Sequence, residues 1–317
     1  MPVVRVLRRP PRHRCKIDVP GADAVRSAVD CHAEVANLSD QGIRLMNEAS
    51  HIAAVQMNSG ENKAANLRKA TELIEQAAAA GAKLVALPEL FNCLGPFETV
   101  IAQAEPIPGP TTAAMSDLAA RLGVTLLVGS LCEQSDLPGQ GYNTSVLLGP
   151  DGAMLSTYRK LHLFDVDLPG QVTVQESQWM RPGEHVSVTP TSVGLLGHSI
   201  CYDLRFPELY RALADRDAEL IAVPAAFTMT TGRDHWEVLL RARAIENQAY
   251  VVAPNQCGHH GPSLHSYGHS TIIDPWGVVL AMAGEEGEAV VLAEMDPSRL
   301  RDIRQRVPSL AHRRNMS

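Results

Sequence analysis

Three residues far apart in the chain, Glu89, Lys160 and Cys201, each stand where an apolar run gives out. LVALPEL runs into Glu89, LSTYRKLHLFD carries Lys160, and LLGHSIC ends on Cys201. A carboxylate beside a thiol can take its proton, and the resulting thiolate can attack a carbonyl carbon. An ammonium at the same place stabilises the oxyanion that forms. The same carboxylic acid can then protonate a departing amine and activate water. Brought together, the three are a complete set for acyl transfer. Taken singly, each has an ordinary use: Cys201 as an inert buried thiol, Glu89 as a helix cap or satisfied buried acid, Lys160 as a surface charge.

The elements that must position them read clearly. Val193 to Ile200 has the texture of a strand buried on both faces, and a helix is expected from Phe206 with Pro207 in its first turn. Cys201 then falls on a strand-to-helix turn, where free N–H groups and a helix N-terminus favour a thiolate. Upstream, strands are expected at Ile52–Met57 and Leu84–Leu87, with a helix over Asn62–Ala80 closed by Gly81. A helix over Thr111–Leu122 precedes strands at Val124–Gly129, Thr144–Leu148 and Ala153–Tyr158. Downstream, strands at Glu219–Val223, Tyr250–Ala253 and Ala289–Glu294 alternate with helices at Asp234–Gln248 and Pro297–Arg306, and a hairpin turns at Asp274–Gly277. This alternation predicts a layered α/β fold with a mixed sheet, and open α/β sheets gather their sites at strand ends.

Composition bounds the function. The chain has 317 residues, 45% hydrophobic and 20% charged, with 4% aromatics, as in a globular protein whose core is aliphatic. A net charge of −7 argues against nucleic acid or an anionic membrane as partner, and no apolar run reaches membrane-spanning length. The six cysteines are scattered without a C-x-x-C pair, which points to reduced thiols and a cytoplasmic setting. Residues 1–50 differ in texture: the first sixteen are Arg-rich, acid-free and interrupted by Pro10-Pro11. No apolar signal region follows them, so an extension of uncertain structure is expected, with mitochondrial import the minor alternative. Residues 51–317 are expected to form one catalytic domain.

The words around the three residues resemble those of the nitrilase, or carbon–nitrogen hydrolase, superfamily. ALPELF, YRKLHLFD and SICYDLRFPELYR carry the likeness, joined by YNTSVLLGPDG (142–152), HWEVLLRARAIENQAYVVAPNQCG (235–258) and YGHSTIIDPWG (267–277). The likeness runs from about His51 to Arg314 and implies a four-layer α-β-β-α sandwich with two mixed sheets, free of metal and cofactor. It further implies hydrolysis of a C–N bond through a thioester, with Glu89 as general base, Lys160 as oxyanion partner, Cys201 as nucleophile and the Tyr202 N–H completing the oxyanion hole. By the same likeness the second, supporting glutamate falls on Glu133. FDVDLPGQVTVQES (164–177) and FTMTTGRDHWE (227–237) resemble the Nit branch, whose substrates are amides of dicarboxylic acids such as 2-oxoglutaramate and deaminated glutathione. N-carbamoyl amino acids are the alternative substrate class. A substrate carboxylate calls for an arginine fork, with Arg205 and Arg233 as candidates and Phe227 as a pocket wall. The family also implies at least a dimer, through helices at 207–215 and 234–247.

Three rival readings are available, one of which keeps the fold but drops catalysis, as a binding or scaffold protein, and the intact set of three residues argues against it. His259, His260, His265 and His269 are dense enough to suggest a metal module, but their spacing is irregular and no cysteine pair accompanies them. Ser199 in GHSIC suggests a serine nucleophile, but the second glycine of the elbow is absent. No phosphate-cradling glycine motif occurs.

Overall fold

The computed structural model describes residues 48–170, 172–261 and 264–314. The extension expected over residues 1–50 lies almost wholly outside the described residues.

The first half of the chain builds one sheet. Its strands are β1 (Ser50–Gln56), β2 (Ala82–Ala86), β3 (Thr125–Gln134), β4 (Gly141–Leu148) and β5 (Met154–Arg159), with helices α1 (Lys63–Ala79), α2 (Phe97–Ala102) and α3 (Pro110–Leu122) between them. A small hairpin follows, β6 (Asp165–Leu168) with β7 (Val172–Gln175), and then β8 (Met180–Arg181). The second half supplies β9 (Val188–Thr191), β10 (Gly194–His198), α4 (Pro207–Ala214), β11 (Leu220–Ala222), α5 (Met229–Asn247) and β12 (Tyr250–Ala253). After the hairpin β13 (Cys257–His259) and β14 (His265–Tyr267) come β15 (Thr271–Ile273), β16 (Val279–Met282), β17 (Ala289–Met295) and α6 (Pro297–Arg306).

One sheet has the order β17-β1-β2-β3-β4-β5, with β8 beside β4, and the other β16-β15-β12-β11-β10-β9. Both are mixed: β1-β2-β3 and β10-β11-β12 are parallel, as is β8 with β4, and the other pairs are antiparallel. Three apolar clusters make the layers. Ala70, Ile74 and Met115 of α1 and α3 pack against the outer face of the first sheet. Ile52, Leu84 and Leu127 meet Leu196, Leu220 and Val252 between the sheets. Leu213, Trp236 and Leu240 of α4 and α5 cover the second sheet. The result is the expected α-β-β-α sandwich.

Local chemistry accounts for the borders. Asn62 caps α1, its side chain accepting from Ala65 N at 3.0 Å, and Gly81 takes the left-handed conformation (φ +94°) that ends the segment. The expected elements recur within a few residues, with one informative exception. The helix expected from Asp234 begins at Met229, so Arg233 lies within α5 and not in a loop before it.

Two buried histidines give the fold an acid limit. His198 on β10 faces Ser156 on β5 across the inter-sheet space, its Nε2 3.2 Å from the hydroxyl oxygen. Burial lowers the pKa of His198 to about 4, and burial does the same to His260, also about 4. Unfolded histidines titrate near pH ~6.5, so between that pH and about 4 the unfolded state binds more protons. Stability therefore falls as pH falls through this window. Urea titrations should show that fall, and His198→Asn should make its slope shallower by about one proton.

Candidate active site

Glu89, Lys160 and Cys201 enter the site from three strand ends in two different sheets. Glu89 follows β2, Lys160 directly follows β5, and Cys201 follows β10. Glu89 sits in a tight turn: Leu90, next to it, has φ +48°. A Cβ on Gly129 of β3 would stand 2.0 Å from Pro88 O, so only glycine lets the two backbones pass. The backbone of Cys201 is also left-handed, at φ +47°. A non-glycine residue held there stores strain that the surrounding packing must sustain. Its N–H donates to Pro224 O at 2.9 Å, fixing the turn against the end of β11.

The side chains converge. Lys160 Nζ donates to Glu89 Oε1 at 2.9 Å, and the residues are 2% and 4% exposed. Ala226 N, just past β11, donates to Glu89 Oε2 at 2.7 Å. Cys201, 8% exposed, lies close enough to Glu89 and Lys160 to feel both charges. Burial works against the Lys160 ammonium, but the carboxylates of Glu176 and Glu89 outweigh it and hold the amine firmly charged. At Cys201 the features of the turn expected to favour a thiolate are outweighed. Burial, and then the neighbouring Glu89 carboxylate, push its pKa well up against the opposing pull of Lys160. A protonated thiol beside its base is the arrangement for proton transfer during attack, not before it.

Glu133 is the second correction. Its Oε2 accepts from Thr144 Oγ1 at 2.7 Å and Arg159 Nε at 2.8 Å, and its Oε1 from Arg159 Nη2 at 2.6 Å. Successive residues of a strand point to opposite faces, so an acid bound to Arg159 lies on the side of β5 away from Lys160. The acid that does meet Lys160 is Glu176, buried, with Oε2 at 2.9 Å and Oε1 at 3.2 Å from Nζ. Glu176 Oε2 also accepts from Phe164 N at 2.6 Å, so the β6–β7 hairpin is pinned at its base beside the lysine. Sequence reasoning missed Glu176, which it met only within FDVDLPGQVTVQES as a mark of the Nit branch. The available signal was the alternating VTVQ facing FDVDL, which closes a hairpin and returns the acid to Lys160. Asn143 on β4 was missed too. Its Nδ2 donates to Glu89 Oε1 at 2.8 Å and to Glu176 Oε1 at 3.3 Å. The opposite amide orientation would turn an oxygen on two carboxylates, so this one is fixed. Glu176→Gln should lower kcat by about 10²-fold or more through loosened charge placement. Glu133→Gln should stay within about 3-fold, its role being a partly exposed ion pair. Ammonia-release kinetics on the two variants separate them.

The remaining predicted residues are dispersed around this centre. Tyr202 N lies in the first turn of the short 3₁₀ helix Cys201–Arg205, where backbone N–H groups lack intrahelical acceptors. The Tyr202 ring stands edge-on to Phe164 and Phe206 at 5.1 and 5.4 Å. The Arg205 guanidinium lies over the rings of Phe227 (5.2 Å) and Tyr202 (5.7 Å), 3.1 Å from His235 Nδ1. Phe227 is a buried core residue packed on Trp236, and its own ring faces Arg205. Arg233 is exposed on α5. Ser199 is occupied by Tyr210 OH (2.9 Å) and Ala222 O (2.9 Å), which disposes of it as a nucleophile. The histidine run forms no ligand set. His260 is committed to Ser59 O and Ser266 Oγ, His259 stacks on His265, and among the described residues no group of three or more metal-ligating side chains converges.

The sequence pattern of the carbon–nitrogen hydrolase family matches residues 51–305. The chain belongs to that family. This carbon–nitrogen hydrolase is 47% identical over 264 residues to a deaminated glutathione amidase of Synechocystis, covering 82% of this chain and 97% of the relative. It is 41% identical over 264 residues to the omega-amidase of Homo sapiens, covering 83% and 95%. Among solved structures it is similar to Nit3 of Saccharomyces cerevisiae, at a TM-score of 0.75 and 36% identity, covering 83% of this chain and 96% of that one. It is thus a hydrolase of carbon–nitrogen bonds other than peptide bonds. No helix among the described residues is long and apolar enough to cross a membrane.

Proposed function

We propose that this carbon–nitrogen hydrolase cleaves the terminal amide of a small carboxylate-bearing compound, releasing ammonia through a thioester on Cys201. The observation that carries the reading is the convergence of a thiol, a carboxylate and a buried ammonium held by two acids. Glu89 takes the thiol proton as sulfur adds to the amide carbon, and the oxyanion is met by Lys160 Nζ and Tyr202 N–H. Collapse of the adduct expels ammonia, which receives the proton from Glu89. Water, deprotonated by Glu89, then attacks the thioester, and the thiol departs with its proton restored. Glu176 and Asn143 hold Lys160 and Glu89 in place throughout. Arg205, poised over Phe227 beside the site, is the fork for the substrate carboxylate.

Residues 51–317 are the hydrolase domain in this reading, preceded by an extension over 1–50, and the chain works in the cytoplasm. It self-associates through α4 and α5, a reading supported by the exposed apolar side chains Val238, Ile245 and Trp276 on and beside α5. Light scattering at micromolar concentration should give at least a dimer.

The deciding experiment is an ammonia-release screen over 2-oxoglutaramate, succinamate, deaminated glutathione and N-carbamoyl amino acids. Turnover of the dicarboxylic amides supports the reading. Turnover confined to carbamoyl compounds replaces it.

A further inference from the structure

Lys160 and Cys201 belong to different sheets, so no strand pairing fixes the distance between them. One buried side chain spans the gap. Asp203, two residues past Cys201, is wholly buried. Its Oδ2 accepts from Tyr158 OH at 2.7 Å and Ile200 N at 2.9 Å. Its Oδ1 accepts from His162 N at 3.0 Å and faces His162 Nδ1 at 2.7 Å. Tyr158 and His162 stand two residues to either side of Lys160, and Ile200 immediately precedes Cys201. The clasp is reinforced by the His162 ring, which lies flat on Phe206 at 3.7 Å.

We propose that Asp203 is a positioning residue that clasps the Lys160 segment to the Cys201 turn and thereby sets the ammonium against the reacting sulfur. The proposal rests on the reading of Cys201 and Lys160 as nucleophile and oxyanion partner. Two arguments favour it over a merely structural role. A carboxylate offers about four acceptor sites on two oxygens, and here all four are used by the two segments that carry the chemistry. A buried carboxylate is also a costly way to hold a core, since well-packed apolar groups commonly do as well or better. What the carboxylate adds is a fixed separation between the two elements, which the His162–Phe206 and Phe164–Tyr202 ring contacts otherwise join only by packing.

The test uses Asp203→Asn, Tyr158→Phe and the double variant of the full chain. Two readouts are followed: steady-state ammonia release, and the pH dependence of iodoacetamide alkylation at Cys201 read by peptide mass spectrometry. With the clasp broken, kcat on succinamate should fall about 100-fold in Asp203→Asn, the usual consequence of misplacing a catalytic group by about 1 Å, with KM within about 3-fold. The alkylation midpoint should move to higher pH, because the charge of Lys160 that favours the thiolate is no longer held beside it. Simple loss of the Asp203 negative charge, with geometry intact, would move it the other way. Tyr158→Phe keeps that charge, removes one bond, and should shift both readouts in the same direction by about a tenth as much in kcat; it also carries the test if Asp203→Asn does not fold. The double variant should lose little more than Asp203→Asn alone, because both act through one clasp. Unchanged kcat in Tyr158→Phe, or an alkylation midpoint that is unchanged or lowered, overturns the proposal. If succinamate is not turned over by the wild type while the midpoints still rise, the clasp stands and the substrate reading fails.

Discussion

Replacing Cys201 by alanine should abolish amide hydrolysis, by at least ~10⁴-fold in kcat, while leaving the fold in place. Loss of a covalent nucleophile removes the whole two-step route, so the residual rate is only that of a bound, polarised amide meeting water. The other thiols among the described residues, Cys93, Cys132 and Cys257, are buried beside Lys63, Glu133 and Glu288 rather than beside Lys160. Burial raises Cys132 to about 12 and Cys257 to about 11, and Cys257 Sγ is turned to Gly287 O at 3.4 Å. The fold should tolerate the change because alanine also carries a Cβ, so the left-handed backbone at position 201 is no more strained than before. The volume lost is one sulfur atom at a partly accessible site, a cost of about 1 kcal/mol. Ammonia release with a thermal melt reads both halves. Substantial turnover by a purified variant with an unchanged melt would remove Cys201 from the mechanism.

Glu89→Gln should be nearly as damaging and should also change the pH profile. The carboxylate accepts from Lys160 Nζ, Asn143 Nδ2 and Ala226 N, and has the thiol beside it. A glutamine keeps one acceptor oxygen and turns an NH₂ group on at least one of those donors. That mismatch, buried, costs about 1–3 kcal/mol of stability. The larger effect is on chemistry, because neither half-reaction retains a base, and kcat should fall about 10³-fold or more. Burial still holds the Cys201 proton on. The little acylation that remains must wait for hydroxide, so its rate should rise about tenfold per pH unit from neutrality upward, where the wild type is flat. A variant with wild-type pH dependence would show that another group takes the thiol proton.

Much of this was readable along the chain, for a physical reason. Buried strands must be apolar over their whole length, so a titratable residue at the point where one ends is conspicuous. That is how Glu89, Lys160 and Cys201 stand out of LVALPEL, LSTYRKLHLFD and LLGHSIC. The helix α1 was legible through its apolar stripe and its closing glycine, Gly81, and α3 was expected over Thr111–Leu122, close to where it lies. The α-β-β-α layering followed from the family likeness of those same words.

What the linear order does not carry is which side chains meet across the gap between two sheets. Glu133 and Glu176 look alike as acids in polar company. Only the pleat of β5, which turns Arg159 one way and Lys160 the other, sends Glu133 to the arginine. Only the closing of the β6–β7 hairpin returns Glu176 to the lysine. The protonation of Cys201 was likewise beyond reach, because it depends on how deeply the turn is buried and on a carboxylate 112 positions upstream by residue number (201 − 89). The sequence by itself determined the reactive groups and the layered scaffold, because strand burial and helix periodicity are local. Which acid holds the lysine, and which charges surround the thiol, follow from the three-dimensional packing, because electrostatics in a buried site is set by neighbours that chain order does not name.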